Sequence, residues 1–405
     1  MLVLGAITLT SSYPLGRQEL VSLGVFLEVM PLFALAFVRL RRMSVSVTRI
    51  FSPAAVRAGH PSVAEVTMAN LAPTQTLECN WRDSWPWSPF STVPARLPVL
   101  AGASTGRATT TVRYSFQPRV RGVFAIGPML VDFTDPFALA HAVLAVGAAT
   151  PLIVTPDVVP LADDVVLLAA EEGSNRMLQR RASGGEDDLM TREYRRGDAL
   201  RRVHWRASAH HGELMVRQEE QRSHAEARML IDTRRAHYRD AGRFGTPDAP
   251  ESESFEFAVE LVASLGLHLQ RSGFLVELVE TGEPQLASLD RPDEFLNSLA
   301  SVCLLDSATE GFSLARGMQR PDRAQGTVFA ILSDADSELL ERLVVQGRSF
   351  DQAVAFVISP RKGPLVQTLR DAGWICVTAR PGDRVEQLWR SLGNEQGGGS
   401  WPPLR

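Results

Sequence analysis

The sequence predicts a multidomain chain: an N-terminal membrane helix, alone or within a helical hairpin, then a β-sandwich-like module, then a C-terminal α/β domain on a parallel sheet. Three observations predict this. Leu20 to Val38 is an apolar run of membrane-crossing length. Short segments rich in Val, Thr and Phe, punctuated by Gly, Pro and Asn, fill Ser44 to about Pro160. From Ala227 onward, apolar strands alternate with helical periods. The expected boundaries are 1–43 for the membrane segment, 44–160 for the β-rich module, 161–226 for an Arg-rich segment, 227–393 for the α/β domain and 394–405 for a flexible tail.

The membrane segment reads LVSLGVFLEVMPLFALAFV. At 1.5 Å per residue it spans roughly 28 Å, against a hydrocarbon core of ~30 Å. Arg39, Arg41 and Arg42 follow it, so the positive-inside rule puts the rest of the chain in the cytoplasm of a membrane-anchored protein. Glu28 sits near the centre of the run and costs about 2.5–3.5 kcal/mol on insertion scales. A neighbouring helix would relieve it, and Met1 to Thr10 is apolar enough to supply one. Ser11 to Glu19 then reads as the turn between them.

In the β-rich module, SVSVTRIF, SVAEVTMANL, RATTTVRYSF, GVFAIGPMLVDF and TPLIVTP read as strands of a sandwich. Trp81, Trp85 and Trp87 fall in a loop that either plugs one end of the sandwich or presents an aromatic surface. In the α/β domain, ARMLIDT, FLVELVE, TVFAILSD, QAVAFVIS and WICVTA read as near-continuous apolar strands, the pattern of a sheet covered on both faces.

Composition narrows the function classes. The net charge of −4 argues against nucleic-acid binding. Lys362 is the one lysine, so a high arginine count is a chain-wide bias and carries no function by itself. Cys79, Cys303 and Cys376 are far apart, without zinc-ligand or CxxC spacing, which fits a reducing compartment and predicts no metal centre and no cofactor.

The most informative stretch runs from Gly184 to Glu220. Eleven arginines face eight carboxylates between Arg176 and Arg222, so long-range phosphate steering is weak. Asp198 is a candidate N-cap and Gly212 a candidate stop for a helix whose apolar face would be Leu200, Val203, His204 and Ala207. Arg202 and Arg206 would flank Trp205 on another face. Three readings stand side by side. Arg192, Glu193, Tyr194, Arg195, Gly197, Asp198, Arg201, Arg202, His204, Trp205 and Arg206 form an Arg–carboxylate lock, or they form a docking surface, since Arg and Trp are typical hot-spot residues. Alternatively, a hydrolase-like enzyme uses Glu193, His204 and Arg206 as an acid/base constellation. No Ser or Cys stands in a recognisable nucleophile elbow, so no catalytic residue is assigned and the first two readings lead.

REYRRGDALRRVHWRASA, Arg192 to Ala209, followed by GELMVRQEE, resembles the domain of unknown function 58 family of bacterial proteins. GVFAIGPMLVDFTDPFALA, Gly122 to Ala140, resembles the family's G-P…D-P-F strand pair, while His210 stands where relatives often carry arginine. The resemblance implies a non-enzymatic scaffold or adaptor that works with a MoxR-type AAA+ ATPase and a transglutaminase-like protein. The α/β domain resembles a von Willebrand factor type A domain, in which the first strand ends in D-x-S-x-S and binds Mg²⁺. Here Asp232 is kept, Arg234 and Ala236 replace the hydroxyls, and Asp334 matches the later acid. A hard cation needs oxygen ligands and arginine offers only donors, so the resemblance implies a degenerate metal site with Arg234 bridging Asp232 and Asp334.

Overall fold

The computed structural model describes residues 1–40, 43–87, 95–104, 106, 108–162, 191–194, 203, 205–217, 226–242, 251–306, 314, 326–359 and 364–397. The chain divides into two compact units, with the break after Pro156.

The first unit opens with two helices, α1 (Leu2–Leu15) and α2 (Gln18–Leu40). They pack on each other through glycine. A side chain at Gly5 would collide with the Glu28 stem, and one at Gly24 would collide with Leu9 and Thr8. The Gly5 face thus covers Glu28, the group that the sequence marks as needing a neighbour. The turn is shorter than the sequence suggests. α1 runs past Ser11 and through Pro14, and Gly16 ends it in the left-handed region at φ 59°. Thr10 and Ser12 do not break the helix because their hydroxyls donate to the carbonyls of Ala6 (2.9 Å) and Leu9 (2.6 Å). α1 still spans only about 21 Å, whereas the 23 residues of α2 are long and apolar enough to cross a membrane.

The β-rich part contains β1 (Val45–Ser52), β2 (Val56–Arg57), β3 (Ser62–Asn70), β4 (Cys79–Asp83), β5 (Ala95–Leu97), β6 (Thr109–Phe116), β7 (Gly122–Ile126), β8 (Met129–Thr134), β9 (His141–Val146) and β10 (Thr150–Thr155). They pair as β1-β3-β6, β5-β4-β8-β9 and β2-β10-β7. Alternate residues of β3 (Ala64, Val66, Met68) are buried, and Val66 and Met68 meet Trp81, Leu97, Met129 and Val131. The tryptophans belong to this interior. Trp81 and Trp85 are buried, and Trp85 stacks on Trp87 and Phe116 at 5.0 and 4.8 Å. That packing favours the plug over the exposed aromatic surface.

A polar knot crosses the interior. Arg49 and Asp83 are fully buried, paired at 2.6 Å, and Tyr114 donates to the same carboxylate at 2.6 Å. Burial, then the Asp83 charge, pushes the Tyr114 phenol far up. The G-P…D-P-F segment has a local explanation. Gly127 (φ 102°) lies against the Arg49 guanidinium, where a side chain would not fit. Asp135 accepts from the backbone N–H groups of Phe137, Leu139 and Ala140 at 2.9, 2.7 and 2.6 Å. Desolvation raises its pKa, but these donors outweigh it and the carboxyl ends below its usual value.

In the second unit, β11 (Thr191–Glu193), α3 (Trp205–His211) and β12 (Met215–Arg217) come first. A five-stranded sheet follows: β13 (Glu226–Ile231), β14 (Leu275–Glu280), β15 (Thr327–Leu332), β16 (Gln352–Ile358) and β17 (Ile375–Ala379). Its order is β14-β13-β15-β16-β17 and every pair is parallel. The helices are α4 (Glu253–Arg271), α5 (Pro292–Ser301), α6 (Ser337–Gly347), α7 (Pro364–Asp371) and α8 (Val385–Gly397). Met229, Ile231, Phe329 and Phe356 face α4, α5 and α8, while Leu230, Val328, Ala330 and Val357 face α6 and α7. Strands covered on both faces explain the unbroken apolar runs. Val158, Val159 and Leu161 pack on the α4 side, tied by Val159 N–H to Ser264 (3.0 Å) and by the Trp389 indole N–H to the Ala162 carbonyl (2.9 Å).

Candidate functional site

The Arg-rich signature folds as a small β-α-β module. β11 pairs antiparallel with β12, Arg192 opposite Val216 and Glu193 opposite Met215. Tyr194 N–H continues the ladder to the Leu214 carbonyl at 2.8 Å. Ser208 on α3 accepts from Met215 N–H at 2.8 Å and so pins the helix to the strand. Gly212, in the left-handed region at φ 76°, ends α3 as its sequence position suggests.

Two expectations change here. The helix begins at Trp205, so Val203 is not on its face; it is buried in an isolated bridge to Val216. A four-residue apolar period fits strand pairing as well as a helical turn, and the β12 edge supplies a partner. Trp205 is 69% exposed, so it anchors no core. Arg195, Gly197, Asp198, Leu200, Arg201, Arg202 and His204 lie outside the described residues, as do the side chains of Arg192, Glu193, Arg206 and Ala207. The acid/base arrangement of Glu193, His204 and Arg206, and the Asp198 cap, therefore fall outside them too.

A second cluster gathers where β13 ends. Asp232 is fully buried. One of its oxygens accepts from the Thr281 hydroxyl and from Arg234 N–H (3.2 Å), and the other lies 2.5 Å from His237 Nδ1. Its backbone carbonyl accepts from the Tyr238 hydroxyl at 2.7 Å. Burial, then the charges of Asp232 and Asp240, holds that phenol neutral far above its usual range. The 3-10 turn Arg235–His237 brings the imidazole back over the strand end.

Arg234 does bridge two carboxylates, but its second partner is Asp336, not Asp334. Its Nη1 lies 3.1 Å from Asp336 Oδ2 and its Nε 3.6 Å from Asp232 Oδ1. Asp334 instead takes Arg239, at 2.7 and 3.0 Å. The reason is the start of α6: Asp336 is its N-cap, accepting from Leu339 N–H at 2.7 Å, and so faces the strand ends. Desolvation pushes Asp336 up, yet this N–H, Arg234 and His237 together bring it below its usual value.

The residues present do not suit Mg²⁺. A guanidinium lies between buried Asp232 and exposed Asp336, Asp334 is neutralised by Arg239, and no metal-holding group of His, Cys, Asp and Glu occurs among the described residues. Reasoning from sequence missed His237, Thr281 and Asp336. Asp336 could have been found, since an Asp directly before SELLERLVVQG is an N-cap signal.

Residues 190–291 match the family model described as protein of unknown function DUF58. No curated protein matches the chain. Among solved structures, the chain is 14% identical to the CARDB domain of a Pyrococcus furiosus protein in complex with di-metal ions, over 28% of this chain and 87% of that one, at TM-score 0.20. It is 12% identical to the Pseudomonas fluorescens alkylpurine DNA glycosylase AlkC bound to DNA, over 28% and 31%, at TM-score 0.18. It is 14% identical to a Paenibacillus cycloisomaltooligosaccharide glucanotransferase complexed with cycloisomaltoheptaose, over 84% and 53%, at TM-score 0.20. At such TM-scores none of these likenesses bears on this chain's fold or ligands.

Proposed function

We propose, for a chain whose residues 190–291 match the DUF58 family model, a membrane-tethered scaffold without an active site. The observation that carries the reading is the outward face of α2. Val21, Leu23, Phe26, Val29, Leu32, Phe33 and Leu35 are all exposed on a helix of membrane-crossing length. Seven large apolar side chains on one exposed helix would aggregate in water, and lipid is the solvent that suits them. The arginines after the helix orient the rest toward the cytoplasm.

The α/β unit is, in this reading, a relative of the von Willebrand factor type A domain that has exchanged its metal for Arg234. The exposed Trp205, in an arginine-rich segment, supports the signature as a docking surface. The partner is a MoxR-type AAA+ ATPase, with a transglutaminase-like protein in the same assembly. The family resemblance supplies both.

Fractionation with protease protection tests the tether. The reading expects the full chain in the membrane pellet after a high-salt wash, with the α/β unit shielded from protease added outside intact cells. Recovery in the salt wash would overturn attachment, and external cleavage of the α/β unit would overturn the orientation.

A further inference from the structure

We propose that the crevice between the ends of β13 and β15 is an oxyanion site of the phosphate class, held closed by Asp336. In a doubly wound parallel sheet, ligands bind outside the carboxyl ends of the strands, where successive crossovers part to opposite sides. With the order β14-β13-β15, that place is between β13 and β15. The residues gathered there are Asp232, Arg234 and His237 from one strand end and Asp336 from the other.

The donors outnumber the acceptors. Arg234 is nine-tenths buried and always charged, yet its Nε and Nη2 have no hydrogen-bond acceptor. Buried donors are nearly always satisfied, by protein, water or ligand. His237 Nε2 lies 3.5 Å from Asp336 Oδ2, too long for a good bond. These donors meet at the first turn of α6, an eleven-residue helix whose N-terminus favours negative charge.

Asp336 Oδ2 already occupies the cradle, between Arg234 Nη1 and His237 Nε2. Its side chain is 46% exposed, so it forms the outer wall of the crevice. The carboxylate is thus an internal stand-in. When it swings out, Arg234 Nη1 and the His237 imidazole lose the group they share. A planar guanidinium fork, an imidazole and a helix N-terminus approach from different directions. A tetrahedral anion with several oxygens fits such a set better than a planar carboxylate.

The stand-in gives a test with opposite signs. Inorganic phosphate is titrated into the full-length protein in detergent micelles at constant ionic strength, with acetate as the comparison, and the midpoint of thermal unfolding is followed. The wild type should show a saturable rise with phosphate. Asp336→Asn keeps the α6 cap but removes the competing charge, and should bind several-fold tighter. Arg234→Gln should lose saturation. Arg234→Lys, which keeps the charge without the fork, should bind more weakly than wild type. Absence of a saturable rise in both wild type and Asp336→Asn would mean a bound water only and would overturn the proposal. So would weaker binding by Asp336→Asn, or acetate binding as tightly as phosphate.

Discussion

Replacing Asp232 by alanine removes one carboxylate and strands four groups at once. Thr281 and His237 lose their acceptor, Arg234 N–H loses its cap, and the Arg234 guanidinium loses its buried counter-charge. The backbone contacts survive, since Asp232 N–H still reaches the Ile331 carbonyl and Tyr238 still reaches the Asp232 carbonyl. The carboxylate removed is small, so a minor cavity term adds to a cost that is mainly electrostatic. Removing one partner of a buried pair costs about 3–5 kcal/mol. At ~2–4 °C per kcal/mol for a unit of this size, Tm should fall by roughly 6–20 °C. Calorimetry on the full chain, which separates the transitions of the two units, reads the loss in the α/β transition. Millimolar Mg²⁺ and EDTA should leave both proteins unchanged. A loss under about 1 kcal/mol would refute the account of Asp232 as the organiser of this strand end. A rise of several degrees with Mg²⁺, absent in Asp232→Ala, would refute the exchange of metal for arginine.

Burial and the nearby Asp157 charge raise Glu260 on α4 to a pKa of about 7. Its unfolded value is lower, so the folded state holds the extra proton, and stability falls as pH rises from about 4.5 through about 7. Glu260→Gln should therefore match wild type near pH 4.5 and exceed it above pH 7.5; a pH-independent difference in Tm would contradict the shift. Trp205→Ala should change stability by no more than ~0.5 kcal/mol, as expected at a site 69% exposed, while weakening partner capture. A loss of 3 kcal/mol or more, the cost of removing a core aromatic, would show that Trp205 is a packing residue. Asp83→Ala should unfold the β-rich part, because it leaves the fully buried Arg49 without its carboxylate. A folded Asp83→Ala with wild-type Tm would show that water reaches that charge.

The parts legible in the sequence are those with one dominant physical signal. β13, β15 and β16 stand where apolar runs suggest, because both faces are covered and their interiors are apolar but for Arg228, which pairs with Glu277. α4 begins at the Ser252 cap, which accepts from Phe255 N–H, with its long apolar period intact. α2 is visible for the same reason. β4, with the sequence CNWRD, hides because Asp83 is an inward residue satisfied by Arg49, a partner 34 positions earlier. The length of α1 is obscured by Ser and Thr, whose hydroxyls bond back to their own helix.

The candidate site was legible in its members and not in its pairing. Asp232, Arg234 and Asp334 all fall at strand ends, as sequence reasoning places them. Which acid Arg234 chooses depends on where the N-cap of α6 falls, two residues beyond Asp334, and on Arg239, which takes Asp334 for itself. His237 joins through a single 3-10 turn, and Thr281 through a parallel strand 49 positions away. Contacts across such distances leave no local periodicity.

The scaffold claim is tested most directly by affinity capture of the full chain from native membranes in mild detergent, comparing wild type with folded Trp205→Ala. The account predicts that a MoxR-type AAA+ ATPase co-purifies with the wild type and is depleted with the variant. Recovery of the wild-type chain without such an ATPase, or equal recovery with both proteins, would contradict it.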